Sequence, residues 1–70
     1  MKYAYLIKFQ DYVWGDCYDM CIAMTLKNAE NWIYTYAKNN HSTVEKIADG
    51  LYTISGVENF YVKVIKTSLA

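Results

Sequence analysis

The stretch Cys17-Tyr18-Asp19-Met20-Cys21-Ile22-Ala23-Met24-Thr25-Leu26-Lys27-Asn28-Ala29-Glu30-Asn31-Trp32-Ile33-Tyr34-Thr35-Tyr36-Ala37 decides the fold, because its hydrophobic period changes partway along. Up to Met24 the period is two. Tyr18, Met20, Ile22 and Met24 share one side, and Cys17, Asp19, Cys21 and Ala23 share the other, as successive side chains of a strand do. After Thr25 the apolar residues Ala29, Trp32, Ile33, Tyr36 and Ala37 recur at i, i+3, i+4, i+7 and i+8, which is one face of a helix. Thr25 is suited to cap that helix, since its hydroxyl can accept from a first-turn N–H. Lys38 lies where the helix dipole favours a cation. Asn39-Asn40 supplies a stop, because Asn tolerates a left-handed backbone. The spacing predicts a helix over residues 26–38 with Trp32 as its core anchor.

Working outward, residues 3–9 alternate, with Tyr3, Tyr5, Ile7 and Phe9 on one side and Ala4, Leu6 and Lys8 on the other. Trp14-Gly15-Asp16 reads as a turn, so the first two runs form an antiparallel hairpin with an acidic tip at Asp11, Asp16 and Asp19. Residues 42–50 fit two patterns. Ser42-Thr43-Val44-Glu45 resembles a capping box ahead of a short helix. Asp49-Gly50 between apolar segments resembles a hairpin turn, with strands at 43–47 and 51–54; strands are the preferred reading. Residues 55–59 read as a loop, Phe60–Lys66 as a strand and 67–70 as a frayed tail. The predicted class is α+β: an antiparallel sheet of four to five strands with one helix packed on one face, in the order β-β-α-β-β-β. Tyr5, Ile7 and Phe9 with Met20, Ile22 and Met24 should face Trp32, Ile33 and Tyr36. Ala4, Leu6, Cys21, Ala23, Tyr61 and Ile65 should occupy the uncovered face among Lys8, Asp19 and Lys63.

The chain has 70 residues and reads as one domain, 1–70. Such a chain hides only about 60% of its unfolded surface, so its core is thin. Apolar residues make up 54% and charged residues 20%, which excludes a disordered tail. No apolar run approaches the ~20 residues of a membrane span, and Lys8 and Gln10 interrupt the N-terminal stretch where a signal peptide would be apolar. A cytoplasmic location in a bacterial host is expected, and the wealth of Lys, Asn, Tyr and Ile fits an AT-rich bacterial or phage genome. Cys17 and Cys21, on a strand, would share a face about 13 Å apart, beyond the ~7 Å that a disulfide allows. Two free thiols are expected. With His41 the only histidine, no metal site or other cofactor is expected.

Chemistry-bearing motifs are few. There is no glycine-rich phosphate loop and no nucleophile elbow. Asp16 and Asp19 could pair as carboxylates, but at a hairpin tip they read as solvated. His41 follows the helix stop and reads as a surface or cap residue. The reading is therefore a binding protein, not an enzyme. Its partner-binding surface is expected on the sheet and hairpin, at Lys2, Lys8, Tyr12, Trp14, Tyr61 and Lys63. Aromatic residues bring large contact area at little rotamer cost, and lysines steer an acidic partner. A second reading places nucleic acid on the same Tyr/Lys face, since aromatics interleaved with cations stack single-stranded bases. The net charge of zero and the absence of Arg weigh against it as the main activity. A homodimeric structural module is the third reading.

Three ordered stretches resemble one family of small phage-encoded anti-CRISPR proteins. Met1-Lys2-x-Ala4-Tyr5-x-Ile7-Lys8 looks like the family's first strand. Ala23-x-Thr25-Leu26-x-x-Ala29 resembles its strand-to-helix junction. His41-x-Thr43-Val44-x-x-Ile47, followed by Gly50-Leu51, is similar to its segment after the helix. The resemblance implies an antiparallel sheet with one helix. It also implies an inhibitor that binds the repeated guide-holding subunits of a type I CRISPR surveillance complex and blocks pairing of target DNA with guide RNA. Lys2, Lys8, Thr43 and Ile47 are the contact candidates within the matching stretches. The family's helix looks basic, whereas this one carries Glu30, Asn31, Trp32 and Tyr34.

Overall fold

The computed structural model describes residues 2–57 and 59–69. It has five strands and one helix: β1 (Tyr3–Asp11), β2 (Cys17–Ala23), α1 (Leu26–Asn39), β3 (Ser42–Ala48), β4 (Leu51–Gly56) and β5 (Phe60–Ser68). All strand pairs are antiparallel, in the order β2-β1-β5-β4-β3. The fold is thus α+β, with the helix on one face of one sheet. The C-terminal strand lies at the centre and joins the β1–β2 hairpin to the β3–β4 hairpin. The helix carries the chain from one sheet edge to the other. Its 14 residues span about 21 Å, enough to cross the ~19 Å of four strand spacings.

Thr25 is the N-cap, with its Oγ1 accepting from the Asn28 N–H at 3.1 Å. The stop differs from expectation. Asn39 is still helical, Asn40 has an ordinary φ of −106°, and the left-handed residue is His41 at φ 53°. The Asn40 side chain instead donates to the Tyr36 carbonyl at 2.8 Å, which satisfies a last-turn acceptor. Residues 42–50 form a strand and a turn. Gly50 there takes φ +74°, and a Cβ would stand 3.1 Å from the Val64 carbonyl oxygen, so a side chain would be strained in its backbone and crowded against β5. The tail expectation is corrected: β5 continues through Ser68, and the Leu69 N–H donates to the Lys2 carbonyl at 3.0 Å. Glu58 of the expected loop and Ala70 of the expected tail lie outside the described residues, as does Met1.

The core is one cluster of Ile7 and Phe9 from β1, Ala29, Ile33 and Ala37 from α1, Tyr52 and Ile54 from β4, and Val62 from β5. The two alanines let the helix axis approach the sheet, and Ile33 between them is fully buried. Trp32 is therefore not the central anchor. It flanks the core half-buried, 5.9 Å from Phe9 edge-on and stacked on Tyr36 at 5.5 Å.

The larger correction concerns β2. Tyr5 pairs with Ala23 and Ile7 with Cys21, but Lys8 pairs with Asp19, so Met20 is an extra residue at a β-bulge. One added residue turns the strand over. Cys21 and Ala23 pack toward the helix, while Met20, Ile22 and Met24, expected there, are exposed. Cys17, paired with Gln10, lies on the opposite face from Cys21, so the two cysteines do not share a face as expected. Both thiols are free.

Candidate binding surface

Three cross-strand rows build the sheet face that the helix leaves open. Strand alternation places Leu6, Lys8 and Gln10 of β1 there, because Ile7 and Phe9 are taken by the core. The first row is Ile22–Leu6–Ile65 across β2, β1 and β5. The second is Asp19–Lys8–Lys63–Leu51 across β2, β1, β5 and β4, and the third is Cys17–Gln10–Tyr61–Thr53. Ile22 is 65% exposed, Tyr61 46% and Ile65 40%. An apolar row this open, bordered by a polar row, has the composition of a contact surface.

Lys8 and Lys63 face each other directly, an arrangement that like charges disfavour. Asp19 moderates it by pairing with Lys8 Nζ at 3.4 Å. Lys63 has no ion pair among the described residues and is exposed. The second row thus presents one uncompensated cation near its centre. Tyr12 lies against Tyr61 with ring centroids 4.3 Å apart, which extends the aromatic surface from β5 toward the hairpin turn.

The turn owes its shape to Asp11. Its carboxylate accepts from the Val13 and Trp14 N–H groups at 2.8 and 2.9 Å, and Gly15 takes φ +72°. Asp11 is thereby a turn-forming residue and Asp19 the ion-pair partner of Lys8, so two of the three carboxylates expected at the tip have structural partners. Trp14 projects from this turn, 81% exposed.

Of the sequence-derived candidates, Lys8, Tyr12, Tyr61 and Lys63 come together on or beside the open face. Lys2 is exposed at the far end of β1, roughly 20 Å of strand from Lys8. Trp14 stands off at the tip. Thr43 and Ile47 lie on β3, the sheet edge opposite β2. Leu6 takes the uncovered face that alternation assigns it, whereas Ile22 and Leu51 were missed. Ile22 reaches this face through the bulge, and Leu51 through its pairing with Lys63 of β5, neither of which alternation reveals.

The helix side offers a shallow cleft of about 210 Å³ lined by Trp32, Thr35, Tyr36 and Asn39. A second polar cluster lies at the β3 edge, where the Tyr52 hydroxyl donates to Glu30 Oε2 at 2.7 Å and Lys46 Nζ lies 3.3 Å from the same oxygen. The Tyr52 bond and then Lys46 hold the Glu30 carboxyl below its ordinary range. Burial, reinforced by Glu30, raises the Tyr52 phenol. This cluster ties helix to sheet and presents no nucleophile. Among the described residues no group of three or more His, Cys, Asp or Glu is placed to hold a metal ion, and no helix is long and apolar enough to cross a membrane. The chain matches no protein-family model, no curated protein and no solved structure.

Proposed function

We propose that this chain is a non-catalytic inhibitor that binds a protein partner stoichiometrically through its open sheet face. The partner favoured is a guide-holding subunit of a bacterial CRISPR surveillance complex, with target-DNA recognition as the step blocked. The observation that carries the binding mode is the open face itself: the row Ile22–Leu6–Ile65 beside the Tyr12–Tyr61 pair and the uncompensated Lys63. The choice of partner rests on the three ordered stretches that resemble phage anti-CRISPR proteins. Tyrosine at the centre of such a face is the residue type that carries binding energy, and Lys63 would raise the encounter rate with an acidic partner.

The test is inhibition of target-DNA binding by a purified type I surveillance complex, with Tyr61→Ala, Lys63→Glu and Lys8→Glu variants. Each variant should melt cooperatively and lose inhibition. Full inhibition by all three folded variants would refute the binding face, and no inhibition by the wild-type chain would refute the partner.

The second reading, nucleic acid on the same face, is favoured by the neighbouring Tyr61, Lys63, Lys8 and Tyr12. A gel shift at two salt concentrations separates the two. Binding to single-stranded DNA by the protein alone, weakening steeply with salt, selects nucleic acid.

A further inference from the structure

We infer that β2 is a self-pairing edge, and that two copies of this chain join antiparallel about a two-fold axis at Ile22 to make one ten-stranded sheet. The inference is independent of the function proposed above.

The argument starts with backbone direction. In an antiparallel sheet, both polar groups of a residue point to the same neighbour, and successive residues alternate. The Lys2 carbonyl accepts from the Leu69 N–H, so even-numbered residues of β1 point toward β5. The Asp11 N–H donates to the Asp16 carbonyl at 2.9 Å, so odd-numbered residues point toward β2. Tyr5 and Ile7 therefore bond Ala23 and Cys21, their partners in register. Ile22, between them, directs its N–H and C=O away from the sheet, at the open edge.

The two edges of the sheet are unlike. β3 carries Glu45 and Lys46, and its register shifts between Lys46 and Ala48, leaving Ile47 in the irregularity. Charges and bulges both protect an edge strand, and since β2 has its own bulge at Met20, the charges are what set the two edges apart. From Met20 to its end at Ala23, and on to Met24 just beyond, β2 carries no charge, and Met20, Ile22 and Met24 are exposed. A partner must supply an equally uncharged strand, and a second copy does so by construction.

Rotation about Ile22 sets Ile22 opposite Ile22 of the other copy, Cys21 opposite Ala23 and Met20 opposite Met24. Each Ile22 N–H then meets the other copy's Ile22 carbonyl. Asp19 lies beyond the Met20 bulge and past the end of the other copy's β2, with the two copies' Asp19 residues about 20 Å apart along the strand, so no like charges meet. The apolar rows also join, because an axis normal to the sheet keeps both open faces on one side. Ile65–Leu6–Ile22 of one copy continues into Ile22–Leu6–Ile65 of the other. Such pairing is closed, whereas β2 against β3 would propagate into a filament, and the charged β3 edge opposes that.

The experiment is the molar mass of the purified chain by sedimentation equilibrium across a concentration series, with reductant present. The wild type should move from one to two copies with rising concentration. Ile22→Lys sets two cations face to face at the axis on a residue that the fold leaves exposed. It should keep its cooperative melt and raise the dimer dissociation constant by at least about 100-fold. Ile65→Lys, on the same face but five strand spacings, about 24 Å, from the other copy's Ile65, should dimerise as the wild type does. In a third variant, Ile22→Cys with Cys17→Ser and Cys21→Ser, mild oxidation should give a covalent dimer, since paired Cα atoms at the axis lie about 5.5 Å apart. A wild type that stays monomeric throughout overturns the inference. So does a dimer that survives Ile22→Lys, or one that Ile65→Lys abolishes.

Discussion

Tyr52→Phe isolates one bond in an otherwise unchanged core. The ring is fully buried, and its hydroxyl donates to Glu30 Oε2 at 2.7 Å. Phenylalanine keeps the ring's packing and removes the donor. A hydrogen bond to a charged group contributes about 1.5–3 kcal/mol net. Here the Glu30 side chain is 31% exposed and keeps Lys46, so water and the ammonium replace part of what is lost. A loss of ~1–1.5 kcal/mol at pH 7 is expected, read as a fall in Tm of about 5–10 °C for a domain this size. The pH dependence makes the test specific. The folded-state value of Tyr52 is raised, so above the unfolded value of about 10 the unfolded chain releases a proton that the folded chain holds, and wild-type stability falls as pH rises. The folded-state value of Glu30 is lowered, so its contribution is present above the unfolded value of about 4.3 and is lost as pH falls through the folded one. The gap between wild type and Tyr52→Phe, measured by urea titration, should be widest near neutrality and narrow toward both extremes. A double-mutant cycle with Glu30→Gln should give a coupling of about 1 kcal/mol. A gap that is flat with pH, or strictly additive single variants, would refute the reasoning.

Ile33→Ala empties the centre of the helix–sheet contact and should cost ~2–5 kcal/mol, against a total of about 3–5 kcal/mol for so small a domain. It should lack a cooperative melt, whereas half-buried Trp32→Ala should cost about 2 kcal/mol and still fold. The reverse order in urea titrations would restore Trp32 as the anchor. Intact mass without reductant should show two free thiols, and Cys17→Ser should change stability by no more than about 0.5 kcal/mol; a reversible loss of two hydrogens within one chain would contradict the bulge at Met20. With the target complex in hand, Lys63→Glu should lower the association rate and flatten its dependence on salt, while dissociation changes less. An unchanged association rate would remove Lys63 from the interface.

The sequence by itself determined the elements, because their signals are local. Periods of two and of 3.6 residues, the Thr25 cap and the Asp49-Gly50 turn each act within a few residues, so element order and fold class were legible. Lys8, Tyr61 and Lys63 were legible as open-face residues for the same reason, since alternation assigns them once Phe9 and Val62 are known to be buried. Only the tertiary structure decided what depends on neighbours distant in sequence. Placing β5 between β1 and β4 brought Ile65 beside Leu6 and Tyr61 beside Tyr12. The bulge at Met20 arose from matching β2 to β1, and it reversed the strand that alternation had placed face-down. The choice of Ile33 over Trp32 was set by the rotation of the helix against the sheet, which turns Ala29, Ile33 and Ala37 inward and leaves Trp32 at the side against Phe9.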